Sequence, residues 1–253
     1  MLTGKAALVT GSSKGIGRGI AVELAKAGCD VAVNYNADRE GAEATVAAIC
    51  EAGRRAFAVK ANVGFKADVD TLFAEVFRNF PRLDILVNNA GTQVFKPLLE
   101  LDEDEWDRVI DTNLKGCFLC TQRAAAHMKE HGGGRIINIG SGCNKVPFPN
   151  LVSYTASKGG IEMFTKVAAV ELAPLGITVN CVAPGSVEIE RTKRETEDYD
   201  ATWSALTPVG RIGTPADVAA VVAFLAGDSA GFVNGQTIFV DGGLFTKPQW
   251  PYE

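Results

Sequence analysis

Residues 6–17 read Ala6-Ala-Leu-Val-Thr-Gly11-Ser-Ser-Lys-Gly15-Ile-Gly17. The apolar run at the start of this stretch predicts a buried β-strand, and the residues after Gly15 predict a helix. A glycine loop between the two lets the backbone come close to a phosphate, and the helix N-terminus offers free N–H groups. The stretch therefore predicts a parallel α/β fold with a dinucleotide loop of the variant spacing Gly-x-x-x-Gly-x-Gly.

Short apolar runs alternate with longer amphipathic stretches along the whole chain. Strands are predicted at residues 6–10, 31–33, 56–59, 83–87, 134–139, 177–182 and 236–240. Helices are predicted at 16–27, 39–52, 67–80, 103–128 (one or two helices) and 152–172. This order predicts a single-domain, doubly wound Rossmann fold over residues 1–253, with about seven parallel strands and helices on both faces.

Two segments are expected to depart from this alternation. The charged stretch 186–211 follows the sixth strand, at the sheet edge where ligands bind, so we expect a substrate loop or lid there. A solvated surface helix is the alternative for this stretch. Residues 244–253 are expected to form a C-terminal tail whose aromatic residues, Trp250 and Tyr252, dock on a neighbouring subunit or fold back on the domain.

Composition and charge exclude several classes of function. The chain is 47% hydrophobic and 22% charged, as in ordinary globular proteins. Its formal net charge is −5, and Lys and Arg are scattered, which argues against nucleic-acid binding. Neither the cysteines nor the histidines form a complete metal-ligand pattern, so no metal is expected. The apolar run near the N-terminus is too short for a signal peptide or a membrane span, so we expect no membrane association and a cytoplasmic location.

Tyr154 and Lys158 lie four residues apart and share one face of a predicted helix, and Ser141 precedes them in the sequence. An ammonium group close to a phenol favours the ionised phenol, which can then exchange a proton near neutral pH. The pair is therefore a candidate acid/base site. A tyrosine and a lysine at this spacing also occur by chance on solvated helices. Other motifs in the chain are therefore needed to support an acid/base role for this pair.

Several further motifs occur in a fixed order. Asn88-Asn89-Ala90-Gly91 follows the fourth predicted strand, Asn113 lies in the next helical stretch, and Pro184-Gly185 follows the sixth strand. Together with the glycine loop and with Ser141, Tyr154 and Lys158, these motifs resemble the short-chain dehydrogenase/reductase family over essentially the whole chain. The glucose 1-dehydrogenase and 3-oxoacyl-carrier-protein reductase branches look most similar.

The resemblance implies a catalytic tetrad of Asn113, Ser141, Tyr154 and Lys158. Tyr154 would exchange a proton with the carbonyl or alcohol oxygen, and Ser141 would bind that oxygen. Lys158 would assist ionisation of the phenol and hold the nicotinamide ribose, and Asn113 would hold a water in a proton relay.

Two further sets of residues are expected around this tetrad. The cofactor-binding set is Gly11, Ser13, Lys14, Gly15, Ile16, Gly17, Asn34, Tyr35, Asn36, Asn62, Val63, Asn89, Ala90, Gly91, Tyr154, Lys158, Pro184, Gly185 and Val187. The expected substrate pocket comprises Gln93, Phe95, Asn144, Phe148, Leu151 and Trp203. Phe95, Phe148, Leu151 and Trp203 suggest an apolar pocket wall, which suits bulky ketones as readily as sugars. Asn144 could bind hydroxyls or an anion.

The end of the second predicted strand bears on the choice of cofactor. It reads Asn34-Tyr35-Asn36, with no carboxylate before Asp38, whereas chains that use NAD usually place an acid here for the ribose hydroxyls. Nearby cations would attract a 2′-phosphate, namely Lys14, Arg18 and Arg39. We therefore expect a preference for NADP(H), with NAD(H) possible because the asparagines can also bind a plain hydroxyl.

The expected function is the interconversion of a ketone or aldehyde and an alcohol by hydride transfer. One alternative is a sugar 1-dehydrogenase of the glucose type. Others are a non-catalytic dinucleotide-binding regulatory protein and a scaffold subunit. The resemblance also implies a small-molecule substrate and a homo-oligomer, commonly a tetramer.

Overall fold

The strands of the chain form one parallel sheet of seven strands, in the order β3-β2-β1-β4-β5-β6-β7. The computed structural model describes residues 2–190, 192 and 198–246. The strands are β1 (Ala6–Val9), β2 (Asp30–Tyr35), β3 (Ala56–Lys60), β4 (Ile85–Asn88), β5 (Gly134–Ile139), β6 (Ile177–Pro184) and β7 (Thr237–Val240). The predicted single-domain Rossmann fold is confirmed.

Helices cover both faces of this sheet. They are α1 (Gly15–Lys26), α2 (Arg39–Glu51), α3 (Lys66–Asn79), α4 (Glu103–Ile110), α5 (Gly116–Met128), α6 (Val152–Leu172), α7 (Tyr199–Leu206) and α8 (Pro215–Ala226). The core of one face joins α1 and α2 to α8, and the core of the other joins α3, α5 and α6. The inner strands are buried on both sides, which explains their nearly continuous apolar sequences, whereas the edge strands β3 and β7 are mostly half-buried.

The strand order places a crevice between β1 and β4. Strands β1, β2 and β3 follow one another towards one edge of the sheet, whereas β4 lies on the opposite side of β1. A reversal of this kind separates the loops that follow the two strands, and ligands bind there at the carboxyl ends. The glycine loop after β1 and the Asn88–Gly91 motif after β4 therefore border one crevice.

Helix α8 is absent from the sequence prediction, although the sequence carries a start signal for it. The side chain of Thr214 accepts a hydrogen bond from the N–H of Asp217, and the Asp217 carboxylate accepts from the N–H of Thr214 at 2.7 Å. Pro215 occupies the first position of the helix, where the missing N–H has no cost. The sequence prediction omits this helix because its residues are apolar on all sides, so the amphipathic pattern that indicates a surface helix is missing.

The long helical stretch predicted at 103–128 is two helices. Between α4 and α5 the segment Asp111–Lys115 forms a π-helical turn. The wider turn holds one more residue than an α-turn, and such insertions are frequent at functional sites. Asn113 lies at the centre of this segment.

The described residues contain neither a metal-ligand cluster nor a membrane-spanning helix. No group of three His, Cys, Asp or Glu side chains that could hold a metal ion occurs within residues 2–190, 192 and 198–246. None of the helices in the described part of the chain combines the length and apolarity needed to cross a bilayer. The six cysteines are free thiols, and burial raises the pKa of Cys117 to about 12.

Candidate active site

The glycine loop takes the conformation for which glycines are needed. Gly11 and Gly15 have φ values of 60° and 55°, in the left-handed region that other residues rarely occupy. A Cβ atom added at Gly11 would lie 2.8 Å from the Cα of Ala90, and one at Gly17 would overlap the side-chain amide of Asn89. The loop is thus packed directly against the motif that follows β4.

Hydrogen bonds hold these two segments together. The amide nitrogen of Asn89 donates to the carbonyl oxygens of Thr10 at 2.8 Å and of Gly11 at 2.9 Å. In return, the Thr10 hydroxyl oxygen accepts from the N–H groups of Asn89 and Ala90, both at 3.0 Å. The Asn89 side chain therefore holds the glycine loop in position.

The side chain of Asn34 also helps to hold the glycine loop in position. Its side chain is buried, its oxygen accepts the N–H of Gly11 at 3.1 Å, and its nitrogen donates to the carbonyls of Val59 and Ala61. The Asn34 amide thus bonds the protein's own backbone, and its assignment to the cofactor stays a prediction. Asn36 is exposed and Tyr35 is half-buried at the end of β2.

Charged groups surround this strand end. The Lys14 ammonium lies 3.7 Å from the Asp38 carboxylate, and 61% of the lysine side chain is exposed. Asp38 also accepts the N–H of Gly41 and so caps α2. Arg39 pairs with Glu43 on the surface, whereas Arg18 is tied to the carbonyl oxygen of Ser13 at 2.7 Å. Lys14 and Arg39 are thus the cations here that reach solvent.

The loop after β3 completes this side of the crevice. The side-chain oxygen of Asn62 accepts the N–H of Gly64 at 3.0 Å, and the N–H of Asn62 donates to Asp68 at 2.8 Å. Val63 is buried, and a Cβ added at Gly116 would lie 2.7 Å from it. Asn62 is half-buried and remains placed for a ligand, while the side chain of Val63 packs inward.

Tyr154 and Lys158 lie on α6, as predicted. Lys158 is buried, and its ammonium donates to the carbonyl oxygen of Ile139 at 2.7 Å. The same ammonium nitrogen is 5.5 Å from the centroid of the Tyr154 ring. A Cβ added at Gly91 would lie 3.8 Å from the ammonium nitrogen of Lys158 and 3.4 Å from the side-chain oxygen of Asn113. The structure thus brings the two helix residues and Asn113 around the end of the β4 motif.

Asn113 links the π-helical turn to both neighbours. Its side-chain oxygen accepts the N–H of Thr92 at 2.8 Å, and its nitrogen donates to the carbonyl of Thr92 and to the hydroxyl of Ser157, each at 2.9 Å. Ser157 in turn donates to the carbonyl oxygen of Tyr154 at 2.7 Å. The Asn113 side chain therefore fixes the position of α6 relative to the loop after β4.

Ser141 lies at the end of β5 and is half-buried. Its hydroxyl oxygen accepts the N–H of Cys143 at 3.2 Å, an arrangement that keeps the O–H hydrogen as a possible donor. Asn144 accepts the N–H of Ser141 at 3.1 Å, and its nitrogen contacts the Cys181 sulfur at 3.8 Å. Asn144 therefore braces the serine, and its role as a polar pocket residue stays a prediction.

The remaining predicted pocket residues lie on three segments. The N–H of Lys96 donates to the carbonyl oxygen of Asn150 at 2.8 Å, which places the loop of Gln93 and Phe95 beside the loop of Phe148 and Leu151. Trp203 lies apart from these on α7, 6.1 Å from the ring of Tyr199.

The lid region begins at the carboxyl end of β6. After Pro184, Gly185 donates to the carbonyl oxygen of Val240 at 3.0 Å, and Val187 is buried. Ile189 lies 3.4 Å from the position of a Cβ added at Gly15, so this segment covers the glycine loop. The remaining residues of the predicted loop, 191 and 193–197, and residues 247–253 of the predicted tail, including Trp250 and Tyr252, lie outside the described residues.

Sequence reasoning missed one aromatic residue at the site. A Cβ added at Gly142, next to Ser141, would overlap the ring of Phe245. The same ring is 6.0 Å from that of Phe148, with an interplanar angle of 77°. A glycine beside the serine signals a close approach, but nothing local in the sequence says which residue approaches.

Comparison with known proteins identifies the family. The family described as "Enoyl-(Acyl carrier protein) reductase" matches residues 11–245. The 3-oxoacyl-[acyl-carrier-protein] reductase FabG of Staphylococcus aureus is 46% identical over 95% of this chain and 98% of its own length. A variant of a Serratia marcescens short-chain dehydrogenase/reductase superposes with a TM-score of 0.91, at 39% identity over 96% of this chain and 99% of the other. The chain belongs to the short-chain dehydrogenase/reductase family.

A further relative of this short-chain dehydrogenase/reductase carries a cofactor. The angucycline C-6 ketoreductase LanV, solved with bound NADP, is 40% identical over 97% of each chain, with a TM-score of 0.91. The glycine loop of the present protein fits such a group, because Gly11 and Gly15 are left-handed and a side chain at either would reduce the cradle. As a family member, the chain is an oxidoreductase of the NAD(P)-dependent type.

Proposed function

We propose that this short-chain dehydrogenase/reductase interconverts a ketone and a secondary alcohol, with Tyr154 as the general acid/base. The observation that carries the proposal is the meeting of Lys158, Asn113 and Gly91 beside Tyr154, in the crevice bordered by the glycine loop. A proton-transfer group and a dinucleotide cradle thus share one edge of the sheet. Such a combination is what reversible carbonyl reduction requires.

The residues divide the work as follows. Ser141 donates its O–H to the substrate oxygen and stabilises the charge that develops there. Tyr154 gives its proton to that oxygen during reduction and takes it back during oxidation. The buried Lys158 ammonium stabilises the phenolate left by reduction, held in place by its bond to Ile139. The glycine loop, Asn62 and the segment after β6 that covers the loop would hold NADPH, which would supply the hydride when bound.

NADP(H) is proposed as the preferred cofactor on the charge around β2. No carboxylate ends the strand, and the exposed Lys14 and Arg39 can attract a 2′-phosphate. The NADP-bound relative LanV supports the same choice. Asp38 opposes it, because its carboxylate competes for Lys14 at 3.7 Å. The preference is therefore a balance that substitution of either residue should shift.

A 3-oxoacyl thioester is the second candidate substrate, favoured by the likeness to FabG. A sugar is less favoured, because the amide of Asn144 already bonds Ser141 and contacts Cys181, which leaves it fewer groups for sugar hydroxyls. The family description also makes an enoyl thioester worth testing.

The test is a substrate panel with NADPH and with NADH. The panel contains an aryl ketone, a small aliphatic ketone, a 3-oxoacyl thioester, an enoyl thioester and an aldose. We expect ketone reduction that is faster with NADPH and that falls at least about 100-fold in Tyr154→Phe, while NADPH binding, followed by Trp fluorescence, is retained. Turnover of no ketone by the wild type, or unchanged turnover in Tyr154→Phe, would contradict the proposal. Saturable cofactor binding without turnover would instead favour the regulatory alternative, and no binding the scaffold alternative.

We also propose that the protein is a cytoplasmic homo-oligomer, of the tetrameric kind common in the family. The support is an apolar stripe on α6, where Met163, Val167 and Val170 share one face and are 58%, 54% and 75% exposed. Phe118 of α5 extends this stripe. Exposed apolar surface of this kind marks contacts between proteins, and a second copy of the chain is the partner proposed.

A further inference from the structure

The ring of Phe245 rests on the backbone beside Ser141. Gly142 has no side chain, and a Cβ added there would overlap the ring atoms of Phe245. The ring is half-buried, so part of it remains open to the site. A residue far along the chain thus reaches the position next to the group that binds the substrate oxygen.

A second aromatic ring extends this surface. Phe148, on the loop between Ser141 and α6, meets Phe245 edge to face at 6.0 Å. Edge-to-face pairs are a preferred arrangement of aromatic rings. Phe148 is also half-buried, so the two rings form a continuous apolar wall, which we call the Phe148–Phe245 wall.

The backbone around Phe245 is held firmly. The two carboxylate oxygens of Asp241 accept the N–H groups of Gly243 and Phe245, each at 2.9 Å. Asp241 itself lies against the end of β6, because a Cβ added at Gly185 would be 2.8 Å from its Cα. The wall is therefore fixed before a substrate arrives, which limits the entropy lost on binding.

The chemistry beside the wall is apolar. Asn144, a polar residue of the Ser141 loop, is engaged with Ser141 and Cys181 of the protein itself. The next residue, Lys145, places its ammonium 5.8 Å from the centroid of the Phe239 ring. A substrate carbonyl bound at Ser141 would present one substituent to two aromatic rings rather than to hydrogen-bonding groups.

We infer that Phe245 determines substrate specificity and that the preferred substrates are ketones with an aromatic ring next to the carbonyl. This inference rests on the proposed ketone reduction and narrows it to a substrate class. A flat ring can pack on the Phe148–Phe245 wall, whereas a small aliphatic group leaves it exposed to water.

The test compares acetophenone, cyclohexyl methyl ketone and butanone as substrates with NADPH. For the wild-type protein, we expect kcat/KM for acetophenone to be about two- to ten-fold above that for cyclohexyl methyl ketone. We expect its excess over kcat/KM for butanone to be larger still. Phe245→Ala should reduce the acetophenone-to-butanone ratio about ten-fold or more, chiefly through acetophenone. Phe245→Leu keeps most of the volume, so it should lose the preference for the aromatic ring and retain more of the preference for size. Phe232→Ala, at an exposed phenylalanine, is the control and should leave the ratio unchanged.

A double-mutant cycle tests the contact itself. Gly142→Ala should lower the acetophenone-to-butanone ratio, because the added methyl displaces the ring of Phe245. In a Phe245→Ala background the same change should have less than about a two-fold effect, since the space is vacated and the two sites are coupled. A Gly142→Ala effect of equal size in both backgrounds would overturn the inference.

The outcomes separate this inference from the function on which it rests. Wild-type protein that reduces none of the ketones contradicts the proposed function. Protein that reduces them, but with a ratio that Phe245→Ala and Phe245→Leu leave unchanged, contradicts only the specificity role of Phe245. NADPH titration and thermal unfolding of each variant show that the fold and the cofactor site are retained.

Discussion

The ammonium of Lys158 lies 2.7 Å from the carbonyl oxygen of Ile139, the last residue of β5. This bond joins α6 to the strand that leads directly into Ser141. The positions of the lysine and of the serine are therefore set by the same strand end, which keeps the two proposed catalytic groups in a fixed relationship.

Substitution of Lys158 tests that arrangement. Lys158→Met should lower kcat for ketone reduction by about 100-fold or more, because the charge that assists proton transfer is removed. Lys166→Met, two turns further along α6 at an exposed lysine paired with Glu162, should change kcat by less than about two-fold. Steady-state kinetics measures both, with NADPH titration as a check on the site. Equal losses in the two variants would show that the effect is not specific to Lys158.

The pair Lys14 and Asp38 should set the choice between cofactors. Lys14→Ala should raise the KM for NADPH about three- to ten-fold and leave that for NADH nearly unchanged, because only NADPH carries the 2′-phosphate. Asp38→Asn frees Lys14 while keeping an oxygen that can cap α2, so it should lower the KM for NADPH. The measurement is the kcat/KM ratio of the two cofactors. Parallel changes for both cofactors in either variant would contradict the assignment.

Stability should depend on pH through His127. Its ring stacks on Phe77 with centroids 4.1 Å apart and accepts the N–H of Leu83 at 3.3 Å. Burial, together with the neighbouring His131 and Arg82, lowers the pKa of His127 below its usual value, against the opposing effect of Asp84. The folded state thus favours the neutral ring, so this stability is complete above about pH 6.5. It should be lost progressively as the pH falls from there through the lowered pKa.

Urea unfolding between pH 7.5 and pH 5 checks this expectation. The free energy of unfolding should fall across that interval in the wild type and fall less steeply in His127→Phe, which keeps the stacking ring and cannot be protonated. Identical pH profiles for the two proteins would exclude His127 as the source.

The apolar stripe on α6 should hold subunits together. Val170→Glu introduces a charge into a surface that would be desolvated in an oligomer, so we expect it to dissociate the assembly. Thr71→Glu, on the exposed face of α3, is the control and should leave the assembly intact. Sedimentation velocity gives the mass of each protein. A wild-type monomer, or a Val170→Glu oligomer of unchanged mass, would contradict the proposed interface.

Local signals in the sequence were sufficient for much of the fold. The alternating apolar runs and the glycine loop predicted the sheet, its parallel strands and the placement of the loop after β1. The tetrad followed from resemblance rather than from spacing, because a tyrosine and a lysine four residues apart have no special meaning by themselves. The neighbourhood of Gly91, Asn113 and Lys158 depends on three separate segments that only the folded chain brings together.

Some contacts could not be predicted from the sequence, for physical reasons. An amide can bond a ribose or a backbone equally well, so the sequence alone could not show that the side chains of Asn34 and Asn89 bond the backbone of the glycine loop. Those contacts depend on the tertiary fold. The contact of Phe245 with Gly142 joins the last described segment to the middle of the chain, so no local pattern could reveal it.

Helix α8 lies against α1, with Pro215 next to Gly19, although nearly the whole chain separates the two helices. During synthesis on a ribosome, the first strand, the glycine loop and α1 emerge at the very start, and α8 emerges near the end. The surface of α1 that packs on α8 therefore stays uncovered until translation has almost finished, although the loops of the cofactor cradle have already been made. A product that ends before α8 should therefore expose this apolar surface and accumulate as an aggregation-prone chain rather than as a smaller enzyme.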